Sequence, residues 1–239
     1  MPDNTVMKLR ILIPVLAFLT FISFAHAGVV IGGTRFVYPE KQHSITVSVR
    51  NKSTLPWLVS AKIYAGGNWP GATSAPQATS ALVATPALFA LQGGRENSIR
   101  IFRADEGLPA DRETLFTLSI STIPASKTSS DNVQMAVRSS FKVFYRPEGL
   151  NGNPENAYRE ILWSYSANQL VVKNPTPYYV TLFQTRINNK SIDNAGIIAP
   201  FSQRTMDECQ KAPRCEIRWQ TINDYGRVMP PVVNILNLK

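Results

Sequence analysis

The strongest constraint on the fold is a period-2 hydrophobic pattern in residues 133–146, VQMAVRSSFKVFYR. Apolar side chains of one parity indicate a β-strand with one buried face, and they are Val133, Met135, Val137, Phe141, Val143 and Tyr145. A strand over 133–145 would be about 43 Å long, roughly twice the usual length. A small domain would bury only part of it. The opposite parity includes Lys142, which places a cation in the most hydrophobic part of the strand.

Shorter alternating segments continue along the chain. Residues 45–49 and 116–120 have the pattern of half-buried antiparallel strands. Glycine and proline clusters separate such segments, and further strands are predicted around 168–173, 178–187, 196–206 and 215–222. No segment of twelve or more residues has a helical hydrophobic stripe. Many short strands with frequent turns predict an all-β protein made of β-sandwiches.

A change of composition after Tyr145 marks the predicted domain boundary. The sequence RPEGLNGNPENAY is rich in glycine and proline, which favour a linker. We therefore predict an N-terminal domain at 28–147, a linker at 148–154 and a C-terminal domain at 155–239. Each domain is long enough for one sandwich core, the second only modestly so.

The first 27 residues have the pattern of a secretory signal. A positively charged start, MPDNTVMKLR, precedes an apolar segment that ends in Ala25-His26-Ala27, which predicts cleavage after Ala27. The apolar residues 11–25 number fifteen, too few for the roughly twenty of a transmembrane helix. The charged part begins at Lys8, so translation starting at Met7 is an alternative.

The exported chain would be basic, because loss of residues 1–27 changes the net charge only from +9 to +8. Its charges are scattered, which does not indicate a nucleic-acid partner and leaves an acidic partner, an anion site or a generally basic surface. Cys209 and Cys215 predict a disulfide in an oxidising compartment. Such a short loop adds only roughly 2 kcal/mol. A single remaining histidine, His43, argues against a metal site.

Catalytic motifs are absent from the sequence. His43 has no nucleophile motif near it, and GGNWPG lacks the lysine of a phosphate-binding loop. Asp111, Glu113 and Asp224 are more typical of structural ion pairs than of an acid–base pair. The prediction is therefore a protein that is not an enzyme, with no cofactor and no small-molecule substrate.

Four segments resemble the periplasmic chaperones of the chaperone–usher pathway of pilus assembly. They are GTRFVYPE (33–40), LPADRETLF with ISTIP (108–124), FKVFYRP (141–147) and NDYG (223–226), in the family's order across the whole exported chain. The resemblance implies two immunoglobulin-like β-sandwiches set at an angle. It implies pilus subunits and an outer-membrane usher as partners.

The resemblance also implies a use for the long strand. A pilus subunit of this kind lacks its last strand, and the chaperone donates one to the open groove. Val133, Met135 and Val137 would enter the subunit, while Phe141, Val143 and Tyr145 would stay in the chaperone core. The alternative is that the first three are ordinary core residues.

Further residues match the family's functional positions. Arg35 and Lys142 match two basic residues that hold the subunit's terminal carboxylate, with a solvated strand face and an edge lysine as the structural alternatives. Glu113, Arg146 and Asp224 match an ion-pair network between the domains. Pro56 and Pro86 match two prolines of the usher-binding patch, although turn or edge prolines are nearly as good an interpretation. The short segment ASKTSSDN after Pro124 resembles the short-loop branch of the family.

Two other classes of protein share these features. A secreted immunoglobulin-like adhesion or receptor-type binding protein would have the same signal, strands and disulfide, with glycosylation at Asn51-Lys52-Ser53 and Asn189-Lys190-Ser191. It would not require Lys142 beside a long exposed strand. A carbohydrate-active sandwich enzyme is the third possibility, and turnover of oligosaccharides would favour it.

Overall fold

The computed structural model describes residues 28–104, 107–125, 135–210 and 213–238. The predicted signal, Val133 and nearly all of the ASKTSSDN segment lie outside these ranges. Within them the chain forms β-strands and one 3-10 turn at Ala157–Arg159, which confirms the all-β prediction. No helix in the described part is long and apolar enough to cross a bilayer.

Ten strands precede the glycine- and proline-rich segment and form two sheets. One sheet has the order β1-β3-β8-β6, and the other has the order β2-β10-β9-β4-β5 with β7 also paired to β4. The strands are β1 (Val29–Ile31), β2 (Arg35–Pro39), β3 (Ser44–Asn51), β4 (Trp57–Ala65), β5 (Gln77–Ala78), β6 (Leu82–Thr85), β7 (Leu88–Leu91), β8 (Glu96–Arg103), β9 (Thr114–Pro124) and β10 (Val137–Arg146).

Nine strands follow that segment and form three smaller sheets. Their orders are β11-β12-β17, β13-β16 and β15-β14-β18-β19. The strands are β11 (Leu162–Ser166), β12 (Gln169–Lys173), β13 (Val180–Thr181), β14 (Phe183–Ile187), β15 (Lys190–Ser191), β16 (Ile197–Ile198), β17 (Gln203–Met206), β18 (Arg214–Gln220) and β19 (Val232–Asn237). The sequence patterns did not predict β11 or β19, because each is short and has one exposed apolar side.

Each half of the chain buries its own hydrophobic core. The first core lies between the two N-terminal sheets around Val49, Ile101 and Leu118, and the second packs around Trp163 and Trp219, whose rings are 5.6 Å apart. No strand pairing described here joins the two halves, so they are separate sheet systems. A third, smaller apolar cluster lies between them, formed by Trp69, Ala72, Leu115, Phe144, Tyr179 and Ile197.

The long strand is shorter than its sequence pattern predicts. β10 begins at Val137, so Met135 precedes the strand and is 70% exposed. The antiparallel register pairs Val137 with Thr122 and would bring Met135 opposite Pro124, the last residue of β9.

Backbone groups join the two halves beside the third apolar cluster. The Ile197 N–H donates to the Pro70 carbonyl oxygen over 2.8 Å, and two glycines allow this approach. Gly71 and Gly196 both have positive φ angles, +81° and +79°. A Cβ on Gly71 would lie 1.8 Å from the Ile197 carbonyl oxygen, so no larger residue fits. The segment that the sequence predicted only as a turn is therefore part of the domain junction.

Replacing Gly71 by alanine should open this junction. Gly94 is the matched control, because it also has a positive φ, +68°, but a Cβ there meets nothing within 4 Å. Gly94→Ala should cost only the left-handed backbone, about 1–2 kcal/mol. Gly71→Ala should cost about 1–3 kcal/mol more, because the junction must also move. Urea unfolding of both variants measures the difference, and equal losses would contradict the role of the junction.

Candidate functional site

One edge of β10 is open over half of the strand. Along its whole length β10 pairs with β9, from Val137 opposite Thr122 to Tyr145 opposite Thr114. On the other side β2 pairs only with Lys142–Arg146, in parallel. In the part of the chain that the structure describes, no strand lies beside Val137–Phe141 on that side. This edge offers unpaired backbone groups to another chain.

The side chains of β10 change environment along the strand. Val137 is 47% exposed, Phe141 packs partly buried against the first core, and Val143 and Tyr145 are fully inside it. Met135 continues the exposed side, and Val133 lies outside the described residues. The apolar side chains of β10 therefore share one face of the sheet, which the first core covers at Val143 and Tyr145 and leaves exposed at Val137.

Lys142 lies at the point where the open edge ends. Its Nζ is 4.5 Å from the centre of the Trp69 ring, a cation–π contact. Lys142 and Trp69 form the N-terminal wall of a cleft of about 820 Å³, and residues of the C-terminal half form the other wall. Burial, with the nearby charge of Arg35, lowers the pKa of Lys142 to about 8. The ammonium group is thus costly to hold without an anion.

Arg35 is the in-register partner of Lys142 on β2. Its guanidinium lies 4.8 Å from the centre of the Phe144 ring, its Nη1 donates to the Ile222 carbonyl oxygen, and its buried Nε has no hydrogen-bond partner. Burial lowers the pKa of Arg35, against the raising effect of Asp224 and then Glu113. The arginine therefore retains a donor that no described group accepts.

The two basic residues are neighbours in the strand register and line adjoining spaces. Arg35 lines a cavity of about 10 Å³, the size of one water molecule, whereas Lys142 lines the large cleft. Ile222 lines both spaces. Lys142 lies over the Trp69 ring, while Arg35 lies over Phe144 and donates to Ile222 of the C-terminal half.

Glu113, Arg146 and Asp224 come together between the two halves. Arg146 Nε donates to Glu113 over 2.7 Å, and its two terminal nitrogens donate to Asp224 over 2.7 and 3.1 Å. The other oxygen of Glu113 accepts from the Tyr179 N–H over 2.7 Å, and the Glu113 N–H donates to the Pro177 carbonyl oxygen. Two residues of the N-terminal half are thereby bound to three of the C-terminal half.

Burial decides how this network behaves. The side chain of Glu113 is only 2% exposed, and burial raises its pKa against the opposing charge of Arg146. Burial would lower the pKa of Arg146, but the hydrogen bond with Asp224 and the charges of both carboxylates raise it, so the guanidinium stays charged. Glu113 is stable as an anion only while Arg146 is present.

The two prolines predicted for the usher patch lie apart. Pro56 immediately precedes Trp57, which pairs with Leu91, whereas Pro86 lies before the opposite end of β7 at Leu88. Both prolines are partly buried. Between them β4 and β9 present exposed apolar side chains, including the cross-strand pair Leu58 and Ile123. The sequence did not single out these two residues, although both lie in alternating segments.

The predicted disulfide joins Cys209 to Cys215, with Cα atoms 5.7 Å apart.

One of the two glycosylation sites of the adhesion alternative is inaccessible to a glycan. Asn51 is buried, and its Nδ2 donates to the carbonyl oxygens of Leu55, Leu91 and Gln92. An attached glycan would require these bonds to break.

Three residues at the site were missed by the sequence analysis. Trp69 was assigned to a turn, Phe144 to no particular role, and Ile222 only to the end of a strand. Trp69 and Phe144 lie beneath the two cations, and Ile222 offers a backbone carbonyl, which no side-chain motif can reveal. An aromatic residue in a glycine-rich turn was the one available signal.

Known proteins share both halves of this architecture. Residues 28–151 match the family "Pili and flagellar-assembly chaperone, PapD N-terminal domain", and residues 156–232 match "Pili assembly chaperone PapD, C-terminal domain". The uncharacterized fimbrial chaperone YcbF of Escherichia coli K12 is 40% identical over 93% of this chain and 94% of its own length.

Solved structures agree with these matches. The periplasmic chaperone SfaE has a TM-score of 0.73 and 33% identity, covering 86% of this chain and 98% of its own. The complex of the Salmonella enterica SafA pilin with the SafB chaperone gives a TM-score of 0.75 and 27% identity, covering 90% of this chain and 99% of that chain.

The fold and the site define a two-domain immunoglobulin-like chaperone with an open strand edge beside a basic cleft. The chain belongs to the PapD family of periplasmic pilus-assembly chaperones. The fold predicted from the sequence is thereby confirmed.

Removing Arg146 should strongly destabilise the protein, because it leaves Glu113 buried and unpaired. We expect Arg146→Ala to lower the free energy of unfolding by about 3–5 kcal/mol, measured by urea denaturation. The control is Arg50→Ala, which removes the exposed pair of Arg50 with Glu96 and should cost less than about 1 kcal/mol.

A second variant separates the buried charge from lost packing. Glu113→Gln combined with Arg146→Ala should recover part of the loss, because glutamine is neutral and still accepts from the Tyr179 N–H. A double variant that is no more stable than Arg146→Ala would show that Glu113 is not the cause.

Proposed function

We propose that this protein binds and stabilises pilus subunits in the periplasm by adding the open edge of β10 to their incomplete sandwich. The observation that carries this proposal is the absence of a described partner strand beside Val137–Phe141, directly before Lys142. The complex of the SafA pilin with the related SafB chaperone supports a pilin as the partner.

The strand edge supplies the main-chain part of recognition. Unpaired N–H and C=O groups of Val137–Phe141 would bond the edge of the subunit, while the exposed side chains of Val137 and Met135 enter its groove together with Val133. Each such side chain would contribute on the order of 1.5–3 kcal/mol before ordering costs. The short polar sequence between Pro124 and Val133 is consistent with the short-loop branch of the family.

The basic residues supply an end point for the added strand. A subunit carboxylate beside Lys142 would offset the desolvation of its ammonium group, and the partnerless Nε of Arg35 is the second donor available to it. Because both residues lie at the end of the open edge, one carboxylate fixes the register of the paired strand.

The remaining elements of the proposal concern delivery and processing. We propose domains at 28–147 and 155–239 joined by 148–154; the first family match ends at residue 151 and the second begins at residue 156. Complexes would pass to an outer-membrane usher through a surface that includes Pro56 and Pro86. Because the relative SfaE is a periplasmic chaperone, we propose that residues 1–27 direct export.

Co-expression tests the function directly. Each pilin-like protein of the same genome is expressed in the periplasm with and without this chaperone, and soluble complexes are purified. At least one pilin should become soluble and protease-resistant only in its presence. If every pilin remained insoluble or degraded, the proposed function would be wrong.

A charge on the open edge should block subunit binding without unfolding the chaperone. Val137→Glu places a carboxylate where an apolar groove is expected, and Met135→Glu should act in the same way. Val83→Glu is the matched control, because Val83 is also 47% exposed and lies on β6, in the other sheet. Pull-down of the captured pilin should fail for the first two variants and succeed for the control. Unfolding of Val137→Glu, or unchanged capture, would contradict the donated strand.

Removing either basic residue should abolish the anchor. Arg35→Ala and Lys142→Ala should each fold, keep the disulfide and lose roughly 2–5 kcal/mol of pilin binding. The losses should be non-additive, because both donors hold one carboxylate. Normal binding of a pilin with a C-terminal amide would remove the carboxylate from the mechanism.

The same variants give a pH test of the anchor. Below pH 8 Lys142 is charged with and without pilin, so the affinity should be constant there. Above pH 8 the free chaperone loses this proton and binding must take it up again, so the affinity should fall by up to about tenfold per pH unit. Lys142→Ala should show no fall in this window, and a fall of equal size would assign it to another group.

Export should remove the first 27 residues and form the disulfide. The intact mass of the periplasmic protein should correspond to a chain that starts at Gly28, two hydrogen atoms lighter than the same chain after reduction. A chain that keeps residues 1–27, or two free thiols, would contradict this processing.

A further inference from the structure

The C-terminal wall of the large cleft carries a second pair of cations. Arg186 on β14 and Arg218 on β18 are directly opposite each other in the antiparallel register. Both are exposed and both line the cleft that Lys142 lines from the other side. Like charges at opposite cross-strand positions destabilise a sheet, so this arrangement costs folding free energy in the free protein.

The described residues supply little to balance these two charges. None of the ion pairs within 4.0 Å in the described part includes Arg186 or Arg218. The one side-chain hydrogen bond of Arg186 goes from its Nε to Ser191 Oγ at 3.5 Å, which is long. Asp193 is the one carboxylate among the described residues that line the cleft. It is exposed and forms neither an ion pair nor a hydrogen bond with Arg186 or Arg218.

The position of the pair relates it to the proposed anchor. Arg218 is four residues before Ile222, which is about 13 Å along an extended chain. The carbonyl oxygen of Ile222 accepts a hydrogen bond from Arg35. An anion between Arg186 and Arg218 would share the cleft with the anion proposed at Lys142. The cleft has room for both at about 820 Å³.

Resting on the proposed function, we propose that Arg186 and Arg218 bind an acidic side chain on the surface of the pilus subunit. A carboxylate between two guanidinium groups removes their mutual repulsion and gains charge-assisted hydrogen bonds. An exposed pair binds a free anion weakly, but a carboxylate on a subunit already held by β10 and Lys142 arrives at a high effective concentration. The pair would then select subunits that have an acid at this place.

The test compares two chaperones that carry equal charge. Arg186→Gln with Arg218→Gln alters the pair, while Arg95→Gln with Lys173→Gln removes two exposed cations that lie outside the residues lining the cleft. The affinity for the captured pilin should fall about tenfold for the first chaperone and stay within about twofold for the second, with the difference shrinking at high salt. Equal affinities of the two chaperones would overturn the proposal.

The acidic partner is found by mutating the pilin. Each surface Asp or Glu of the captured pilin is changed to its amide, and one change should weaken binding to the unaltered chaperone but not to the Arg186→Gln, Arg218→Gln variant. Arg186→Lys with Arg218→Lys should keep most of the affinity, since the charges remain. If no acidic residue couples to the pair, the proposal is wrong.

Three further outcomes distinguish this proposal from a free-anion site and from the proposed function. Inorganic phosphate that shifts the Arg186 and Arg218 Nε resonances, with pilin affinity unchanged in the variant, would indicate a free-anion site and overturn the proposal. An unaltered chaperone that holds no pilin would contradict the proposed function and this inference together. An intact Lys142 anchor with no effect of the arginine pair would contradict this inference alone.

Discussion

The rest of the structure depends on a buried carboxylate that belongs to both domains. Glu113 accepts from Arg146 in its own half and from the Tyr179 N–H in the other half, while Arg146 also binds Asp224. A charge this deeply buried is stable only in one arrangement of its partners. The network therefore favours one orientation of the two halves, and the cleft beside Lys142 exists only in that orientation.

The domain junction also places the functional strand. Arg146, the last residue of β10, is fixed by the ion network, and Phe144 two residues earlier packs in the apolar cluster between the halves. Two residues earlier again, Lys142 lies on the same face of the strand as Phe144 and lines the cleft. The open edge includes Phe141 and the residues before it, back to Val137. One end of β10 is thus held by both domains, which leaves the other end rigidly presented to a partner.

Several features of the site are energetically unfavourable before any partner binds. Lys142 is desolvated next to Arg35, the Nε of Arg35 lacks a described acceptor, and Arg186 faces Arg218. Exposed apolar side chains at the open edge add to this cost. A partner with one missing strand and suitably placed carboxylates offsets all of these unfavourable features together. This combination is a physical basis for selecting pilus subunits.

The sequence by itself determined the fold class, the disulfide and the single apolar face of β10, because local alternation, turn residues and export follow from residue type and spacing. The motifs also pointed to Arg35, Lys142 and the three charged residues of the network. Only the tertiary structure decided that Ile222 lines the spaces beside both Arg35 and Lys142, and that Trp69 and Gly71 belong to the junction. It also decided that Arg186 opposes Arg218 across a strand pair. These outcomes depend on backbone groups and on register between distant segments, which no local pattern of side chains encodes.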